Sequence, residues 1–140
     1  MQQSSELFFV SSNENKFQET ERILSNFGMQ INFFKTTLEE IQSNDLNDIA
    51  EQKAINAYGI VKKPIIIEDD GLFIDSLNGF PGPYSSYVYD TIGNKGIMNL
   101  LENCETRDAK FVSIIAYCDS DCDVKLFESS IPGKISSIIE

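Results

Sequence analysis

The sequence predicts an α/β domain with a mixed central sheet and flanking helices. Strand-like and helical segments alternate through the first half of the chain, a pattern that favours parallel strands joined by helices. Strand-like segments then follow one another near the carboxyl end, which favours an antiparallel hairpin. The chain has 140 residues without an internal repeat or linker, so we expect a single domain over residues 1–140.

The first half predicts strand, helix, strand and helix in that order. ELFFVS at residues 6–11 has a continuous apolar run typical of a strand buried on both faces. A polar stretch then offers helix caps, and apolar residues recur at helical spacing until Gly28, where glycine is expected to end the helix. QINFFKT at 30–36 predicts the second strand, and the segment from Asp45 to about Val61 predicts the second helix.

The second half predicts a strand, a rigid turn, a short helix and a hairpin. Pro64 is expected to begin the strand IIIED, which GLFID either continues or pairs with. NGFPGPYS predicts a turn because glycine and proline restrict it, and residues 91–103 predict a helix weakened by Gly93 and Gly96. AKFVSIIAYC and DVKLFES alternate, and they predict antiparallel strands across the acidic turn DSDCD.

Charge and composition narrow the possible functions. With 11 basic and 22 acidic side chains, the net charge of −11 repels phosphate backbones, so we expect no nucleic-acid polymer as a partner. The chain contains no histidine, which removes the usual base for a serine or cysteine nucleophile. Carboxylate and lysine chemistry remains, and a small phosphorylated ligand is compatible with it if lysines lie nearby and a divalent cation shields the charge.

Cysteine usage and hydropathy indicate a cytoplasmic protein. The three cysteines are an odd number without histidine partners, which argues against a disulfide framework or a zinc site and favours a reducing compartment. No apolar run is long enough to cross a membrane, and the segment MQQSSELFFV lacks the basic and apolar parts of a signal peptide. We therefore expect no membrane partner.

A polar loop between the first strand and the first helix is a candidate anion site. Its backbone N–H groups and the helix dipole favour an anion there, and the loop consists of Ser11, Ser12, Asn13, Glu14, Asn15 and Lys16. A cation such as Lys16 is unfavourable at a helix N-terminus unless a negative group lies nearby. Two interpretations stay open: a phosphate cradle with Ser11 and Asn13 as donors, or a helix cap with a solvated lysine.

Lys53 interrupts the apolar stripe of the second predicted helix, which consists of Leu46, Ile49, Ala50 and Ala57. A lysine at that position either extends its ammonium group to the rim or points it into a polar cavity under the helix. The pattern leaves both interpretations open.

The strongest signal is the run Glu68, Asp69 and Asp70 at the end of a predicted buried strand. Open α/β sheets bind ligands at that edge, and a hard cation such as Mg²⁺ removes the repulsion among adjacent carboxylates. Because side chains alternate along a strand, Asp69 is expected to point away from the side of Glu68 and Asp70. The rigid turn at 79–84 is either a connection with unusual φ/ψ values or a preorganised pocket wall.

These motifs resemble the Ham1-like non-canonical purine nucleoside triphosphate pyrophosphatases, also called inosine triphosphate pyrophosphatases. The likeness spans residues 7 to about 116 in the family's order. It is carried by Ser11-x-Asn13-x-x-Lys16 with Glu19, by Glu40-Ile41-Gln42, by Lys53-Ala54 with Ala57, and by Glu68-Asp69-Asp70-Gly71-Leu72 running through Gly79-Phe80-Pro81-Gly82-Pro83-Tyr84-Ser85.

The resemblance implies an elongated ITPase-like (Maf/Ham1) fold that hydrolyses inosine, xanthosine or deoxyinosine triphosphate to the monophosphate and pyrophosphate with Mg²⁺. By position, residues 11–16 would hold the triphosphate and Lys53 would reach a phosphate. Glu40 and Asp69 would bind the metal, and Asp69 would also act as the base that activates water. Asp70, where the family often has serine or threonine, would contact the substrate.

The resemblance also implies a segment that this chain is expected to lack. Family members carry, after the last hairpin, a glycine-aromatic-aspartate-proline motif and a serine-histidine-arginine motif that contact the purine. The chain ends at IPGKISSIIE, about where that segment would begin, so the sequence predicts a domain that is incomplete at its C-terminus.

Three interpretations follow from this departure: an impaired fragment, an active but less selective pyrophosphatase, and a nucleotide- or cation-binding protein without catalysis.

An unpaired sheet edge at the last hairpin and the habit of the family both predict a homodimer.

Overall fold

The computed structural model describes residues 6–121 and 123–139. Their strands and helices occur in the order β1 Phe8–Ser11, α1 Glu14–Ser25, β2 Asn32–Lys35, α2 Leu46–Val61, β3 Ile65–Ile74, β4 Pro81–Gly82, α3 Ser85–Thr91, α4 Gly93–Leu100, β5 Asp108–Cys118 and β6 Val124–Lys134. The strands form a mixed sheet in the order β2-β1-β3-β5-β6, and β4 pairs with β3. The predicted α/β class with a mixed sheet is therefore confirmed.

Strand β1 lies between β2 and β3 and runs parallel to both. Phe9 is opposite Phe33 on β2 and opposite Ile66 on β3. Parallel neighbours require crossover connections, and α1 and α2 supply them. Because the β1–β3 register pairs Phe8 with Ile65, continuing it along both strands places Ser11 beside Glu68.

Contacts group the described residues into two compact units. The first contains 6–42, 47–68, 115–121 and 123–127, and the second contains 43–46, 69–114 and 128–139. Strands β3 and β5 each contribute residues to both units. The single domain expected over residues 1–140 stays a prediction.

Each unit has an apolar core of its own. In the first, Phe9, Ile31 and Ile66 are buried, and Phe17 and Phe33 pack against them with their rings stacked at 4.6 Å between centroids. The core of the second consists of Ile74, Val88, Ile97, Leu101 and Ala109.

Several predicted elements are confirmed with small changes in their bounds. Helix α1 ends at Ser25, and Gly28 has a φ of +74° in the turn that follows, as expected for a glycine after a helix. Strand β3 continues without a break through Ile74, so GLFID extends IIIED. Of the apolar residues that recur before Gly28, Phe17 and Leu24 pack on the core, whereas Phe27 lies in the turn after α1 and is 76% exposed.

The predicted helix at 91–103 is wrong in its bounds. Two helices, α3 and α4, occupy residues 85–100, and they meet at Gly93, whose φ of +65° interrupts the helical backbone. Because α3 begins at Ser85, it follows the predicted rigid turn at 79–84 directly.

Strands β5 and β6 are neighbours in the sheet and form the predicted hairpin, since a connection over residues 119–123 is too short for a parallel crossover. One residue of the acidic turn, Cys122, lies outside the described residues. Strand β6 extends to Lys134, beyond the predicted 123–129, and its place at the end of the strand order explains how it accommodates Pro132. Every helix in the described ranges is too short or too polar to cross a membrane.

Candidate functional site

The loop between β1 and α1 forms a helix cap. The Asn13 side-chain Oδ1 accepts a hydrogen bond from the Lys16 backbone N–H at 3.2 Å, and the Ser11 Oγ accepts one from the Asn13 N–H at 3.0 Å. Both side chains therefore act as acceptors here, and the Ser11 hydroxyl and the Asn13 amide keep donor hydrogens that a phosphate can accept. The loop is largely exposed at Ser12, Asn13, Glu14 and Asn15.

Lys16 is not the solvated lysine of the helix-cap interpretation. Its Nζ lies 2.6 Å from the Glu68 Oε2, and the two side chains are 35% and 13% exposed. The β1–β3 register explains this contact, because it brings the loop after Ser11 next to Glu68. Glu68 therefore supplies the negative group that a cation in the first turn of α1 requires.

Lys53 forms a second ion pair of the same kind. Its Nζ lies 2.7 Å from the Glu40 Oε1, and Lys53 is 15% exposed whereas Glu40 is 56% exposed. The neighbouring alanines of α2, Ala50, Ala54 and Ala57, are fully buried. This geometry is closer to the rim interpretation, with a buried aliphatic stem and a carboxylate that receives the ammonium group near the surface.

The first compact unit therefore contains both lysines that the sequence analysis names as candidates for binding phosphate, and each of them contacts a glutamate. Ser11, Asn13 and Lys16 belong to this unit, as do Glu40 and Lys53. The signal for the Lys16–Glu68 pair was present in the sequence as a lysine at an unfavourable helix position, but the pattern gave no partner. The sequence analysis identified Glu68 as part of the acidic run but missed its contact with Lys16.

Asp69 and Asp70 lie in the second unit, where β3 continues. The Asp69 Oδ1 accepts the Asp70 backbone N–H at 3.1 Å, and the Asp69 Oδ2 is a buried atom. Asp70 is exposed. The backbone hydrogen bond restricts rotation of the Asp69 carboxylate, which suits a group that has to face one reacting atom. The predicted directions of the three acids stay a prediction.

The Gly-Pro turn is fixed against β3 directly after the acids. Leu72 pairs with Gly82, and the Leu72 N–H donates to the Ser85 Oγ at 2.8 Å, which in turn donates to the Gly82 carbonyl at 2.6 Å. A Cβ at Gly71 would lie 2.5 Å from the Gly82 carbonyl oxygen, so only glycine allows this approach. The turn has the unusual φ values of the first interpretation, +91° at Gly79 and +54° at Gly82, and it packs on β3 directly after Asp69 and Asp70. A pocket wall beside these acids stays a prediction.

The same turn encloses a shallow cavity of about 310 Å³ within the second unit. Exposed rings of Phe80 and Tyr84 form part of its wall, and the Tyr84 hydroxyl donates to the Asn44 Oδ1 at 3.2 Å. The sequence analysis did not identify Asn44. The density of aromatic and proline residues at 80–84 was the available signal for a cavity.

Glu40 in the first unit and Asp69 in the second are the carboxylates that the resemblance assigns to a magnesium ion. Within the described residues, no cluster of three or more candidate ligands could hold a metal ion by itself. Mg²⁺ does not require such a cluster, because proteins usually bind it through one or two carboxylates together with waters and substrate phosphates. Glu40 and Asp69 each offer hard carboxylate oxygens of that type.

The chain matches known proteins along nearly its whole length. The model of the Ham1 family matches residues 7–139. A "dITP/XTP pyrophosphatase" of Methanopyrus kandleri is 42% identical over 130 residues, which cover 93% of this chain and 69% of the relative. A "dITP/XTP pyrophosphatase" of Hyperthermus butylicus is 41% identical over 130 residues, which cover 93% of this chain and 68% of the relative.

Solved structures show the same fold. A HAM1 protein from Coxiella burnetii has a TM-score of 0.82 at 24% identity and covers 96% of this chain and 75% of its own chain. The Ham1 protein of Staphylococcus aureus has a TM-score of 0.75 at 25% identity and covers 93% of this chain and 72% of its own. With the family model and curated relatives of more than 40% identity in agreement, this chain belongs to the Ham1 family.

Proposed function

We propose that this chain hydrolyses non-canonical purine nucleoside triphosphates to the monophosphate and pyrophosphate, and so removes them from the nucleotide pool. Its curated relatives are dITP/XTP pyrophosphatases, which support a hydrolase of a triphosphate phosphoanhydride bond. Inosine, deoxyinosine and xanthosine triphosphate are the proposed substrates.

One observation carries the proposal beyond the comparisons. Lys16 and Lys53 each place an ammonium group beside a glutamate in a chain with a net charge of −11. Lysines held at defined positions in an acidic protein supply the cationic groups that a polyanion can contact once the charge of the paired carboxylate is offset.

The loop at 11–16 and the two lysines bind the phosphates in this proposal. The N-terminus of α1 offers backbone N–H groups and the positive end of the helix dipole, and Lys16 adds a full charge in the first turn. Ser11 and Asn13 donate their remaining hydrogens to phosphate oxygens, and the backbone of Ser12, Glu14 and Asn15 lies in the same exposed loop. Lys53 neutralises a second phosphate.

Asp69 is the proposed catalytic base. A general base has to accept a proton from the attacking water within hydrogen-bond reach, and a carboxylate is suited to this task. The Asp70 N–H donates to Oδ1 of Asp69 and so orients the carboxylate that would accept the proton. Asp70, which is exposed, contacts the substrate beside it.

Mg²⁺ is the proposed cofactor, held by Glu40 and Asp69. When bound, the ion offsets negative charge on the phosphates and on the leaving pyrophosphate. Glu40 is exposed and contacts Lys53 in the ligand-free protein, so its carboxylate is accessible to an arriving metal–nucleotide complex.

The proposed assembly is a homodimer in the cytoplasm. Strand β6 ends the strand order and exposes apolar side chains, among them Phe127 and Ile131, which a second copy would cover. Free thiols at Cys104 and Cys118 support a reducing compartment.

An alternative proposal is a nucleotide- and Mg²⁺-binding protein with impaired catalysis. The ion pairs favour it, because a carboxylate already contacts each phosphate-binding lysine in the ligand-free protein. Such a protein would bind its ligand without efficient turnover.

An assay of pyrophosphate release with inosine triphosphate separates the two proposals. The enzyme is expected to release pyrophosphate with Mg²⁺ and to lose this activity in EDTA. Thermal stabilisation by Mg²⁺ and inosine triphosphate without any released pyrophosphate would support the binding protein instead.

A further inference from the structure

Two lysine–glutamate pairs of the first unit share an arrangement that ordinary surface ion pairs lack. In each pair one partner is largely buried. Glu68, which pairs with Lys16, is 13% exposed, and Lys53, which pairs with Glu40, is 15% exposed. The Lys63–Glu6 pair is closed at a similar distance of 2.9 Å, but both of its side chains are 53% exposed. Burial strengthens the interaction between charges because less water screens it.

A phosphate that binds either lysine has to compete with the glutamate already there. The ammonium group can form a close ion pair with the glutamate or with the phosphate, but not with both at once. A carboxylate that stays in place also repels the arriving phosphate. Both effects lower the affinity for a polyanion. Neutralising the carboxylate removes both.

We propose that Glu68 and Glu40 compete with phosphate for Lys16 and Lys53, the lysines they contact, and keep the affinity of the protein for polyphosphate low when no divalent cation is present. The inference rests on the proposed function, since it concerns the same phosphate-binding lysines. It assigns Glu68 a role as a positioning residue that acts through Lys16 and sets how strongly phosphate binding depends on a cation.

This role predicts a change in the opposite direction from a structural one. If Glu68 only kept Lys16 in a useful orientation, then Glu68→Gln would weaken the binding of polyphosphate. As a competitor, its neutralisation strengthens that binding, by about three- to tenfold for an ion pair that is partly buried.

The test is isothermal titration calorimetry with inorganic triphosphate in EDTA at low ionic strength. Because EDTA removes divalent cations, the carboxylates do not bind a metal in this experiment, and metal binding does not contribute to the measured affinity. Glu68→Gln and Glu40→Gln are expected to bind triphosphate more tightly than the wild-type protein. Glu6→Gln is the matched control, because it also removes a lysine–glutamate pair and raises the net charge by one, and its affinity is expected to equal that of the wild type.

The addition of Mg²⁺ gives a second readout for Glu68. The cation offsets the carboxylate charge in the wild-type protein, so its affinity for triphosphate is expected to rise more on adding Mg²⁺ than the affinity of Glu68→Gln does.

Equal or weaker binding by Glu68→Gln and Glu40→Gln in EDTA would overturn the inference, and so would an equal gain in Glu6→Gln. If Glu68→Gln fails to fold, the exposed Glu40 still gives a decisive variant. Pyrophosphate release from inosine triphosphate by the wild-type protein, measured in parallel, distinguishes the failures. Release without any gain in affinity refutes only the competitor role, whereas a gain without release refutes only the proposed hydrolysis.

Discussion

Lys16 carries a positive charge into the first turn of α1, where the helix dipole disfavours a cation. The sequence alone shows that this lysine needs a negative partner. It cannot show that the partner is Glu68, because the contact depends on the parallel register of β1 and β3. The local pattern was thus enough to mark Lys16 as unusual. Glu68 was identified as its partner only from the pairing of β1 with β3, which are distant in sequence.

At the same scale, replacing Lys53 with methionine tests its proposed contact with phosphate. Methionine keeps the aliphatic bulk on α2 but removes the charge, so kcat/KM for inosine triphosphate is expected to fall about ten- to a hundredfold. Steady-state kinetics measures the change. Lys63→Met removes a lysine from another glutamate pair and is expected to leave kcat/KM unchanged. Equal kinetics in the two variants would contradict the assignment of Lys53.

The thiol of Cys118 is predicted to be unreactive. Burial raises the pKa of this thiol, and the negative charges of Asp119, Asp121 and Asp123 add to the effect, so little thiolate is present near pH 8. Iodoacetamide labelling followed by peptide mass spectrometry is expected to modify the half-buried Cys104 before Cys118, and to modify all three cysteines of the chain after unfolding in denaturant. Faster labelling of Cys118 in the folded protein would show that the thiol is accessible.

At the scale of elements, strong periodicity was a better guide than turn chemistry. Helix α2 and strand β3 agree with prediction because one has a clear apolar stripe and the other a continuous apolar run. Helix α3 was not predicted because it follows the turn of glycine and proline residues directly. The glycines of 91–103 suggested one weak helix, whereas two helices meet at Gly93. The close approach of Gly71 to Gly82 depends on tertiary structure and leaves no local pattern.

That approach makes Gly71→Ala a test of how firmly the turn braces β3. The new Cβ would meet the Gly82 carbonyl oxygen at 2.5 Å, and backbone atoms cannot move aside cheaply. The free energy of unfolding is expected to fall by about 1–3 kcal/mol in urea titration. Gly59→Ala provides the control, because that Cβ meets nothing within 4 Å and alanine favours helix α2, so stability is expected to rise by about 0.5–1 kcal/mol. A Gly71→Ala protein as stable as the wild type would show that the turn yields.

At the scale of the whole molecule, the order of the motifs was the most informative feature of the sequence. The polar loop, Lys53 and the acidic run at 68–70 occur in the order typical of the Ham1 family, and the family model matches residues 7–139. The division of contacts into two units was not predicted, because β3 and β5 pass through both without any break in composition. Strand continuity in the sequence does not reveal where packing changes.

The proposed homodimer is tested through β6, whose Phe127 is 60% exposed. Phe127→Lys puts a charge into the apolar surface that a second copy would cover, so the mass measured by light scattering is expected to fall from dimer to monomer. Phe27→Lys makes the same exchange at an exposed phenylalanine in the turn after α1, and the mass of this variant is expected to stay that of a dimer. A wild-type protein that is monomeric at all concentrations would rule out this assembly.

Pyrophosphate release from inosine triphosphate with Mg²⁺, compared between the wild-type protein, Asp69→Asn and Asp90→Asn, tests the central claim most directly. Asparagine cannot accept the proton of the attacking water, so release by Asp69→Asn is expected to fall by about 100-fold or more. Asp90 is exposed on α3, and Asp90→Asn is expected to match the wild type. Release by Asp69→Asn at the wild-type rate would contradict the assignment of Asp69 as the base.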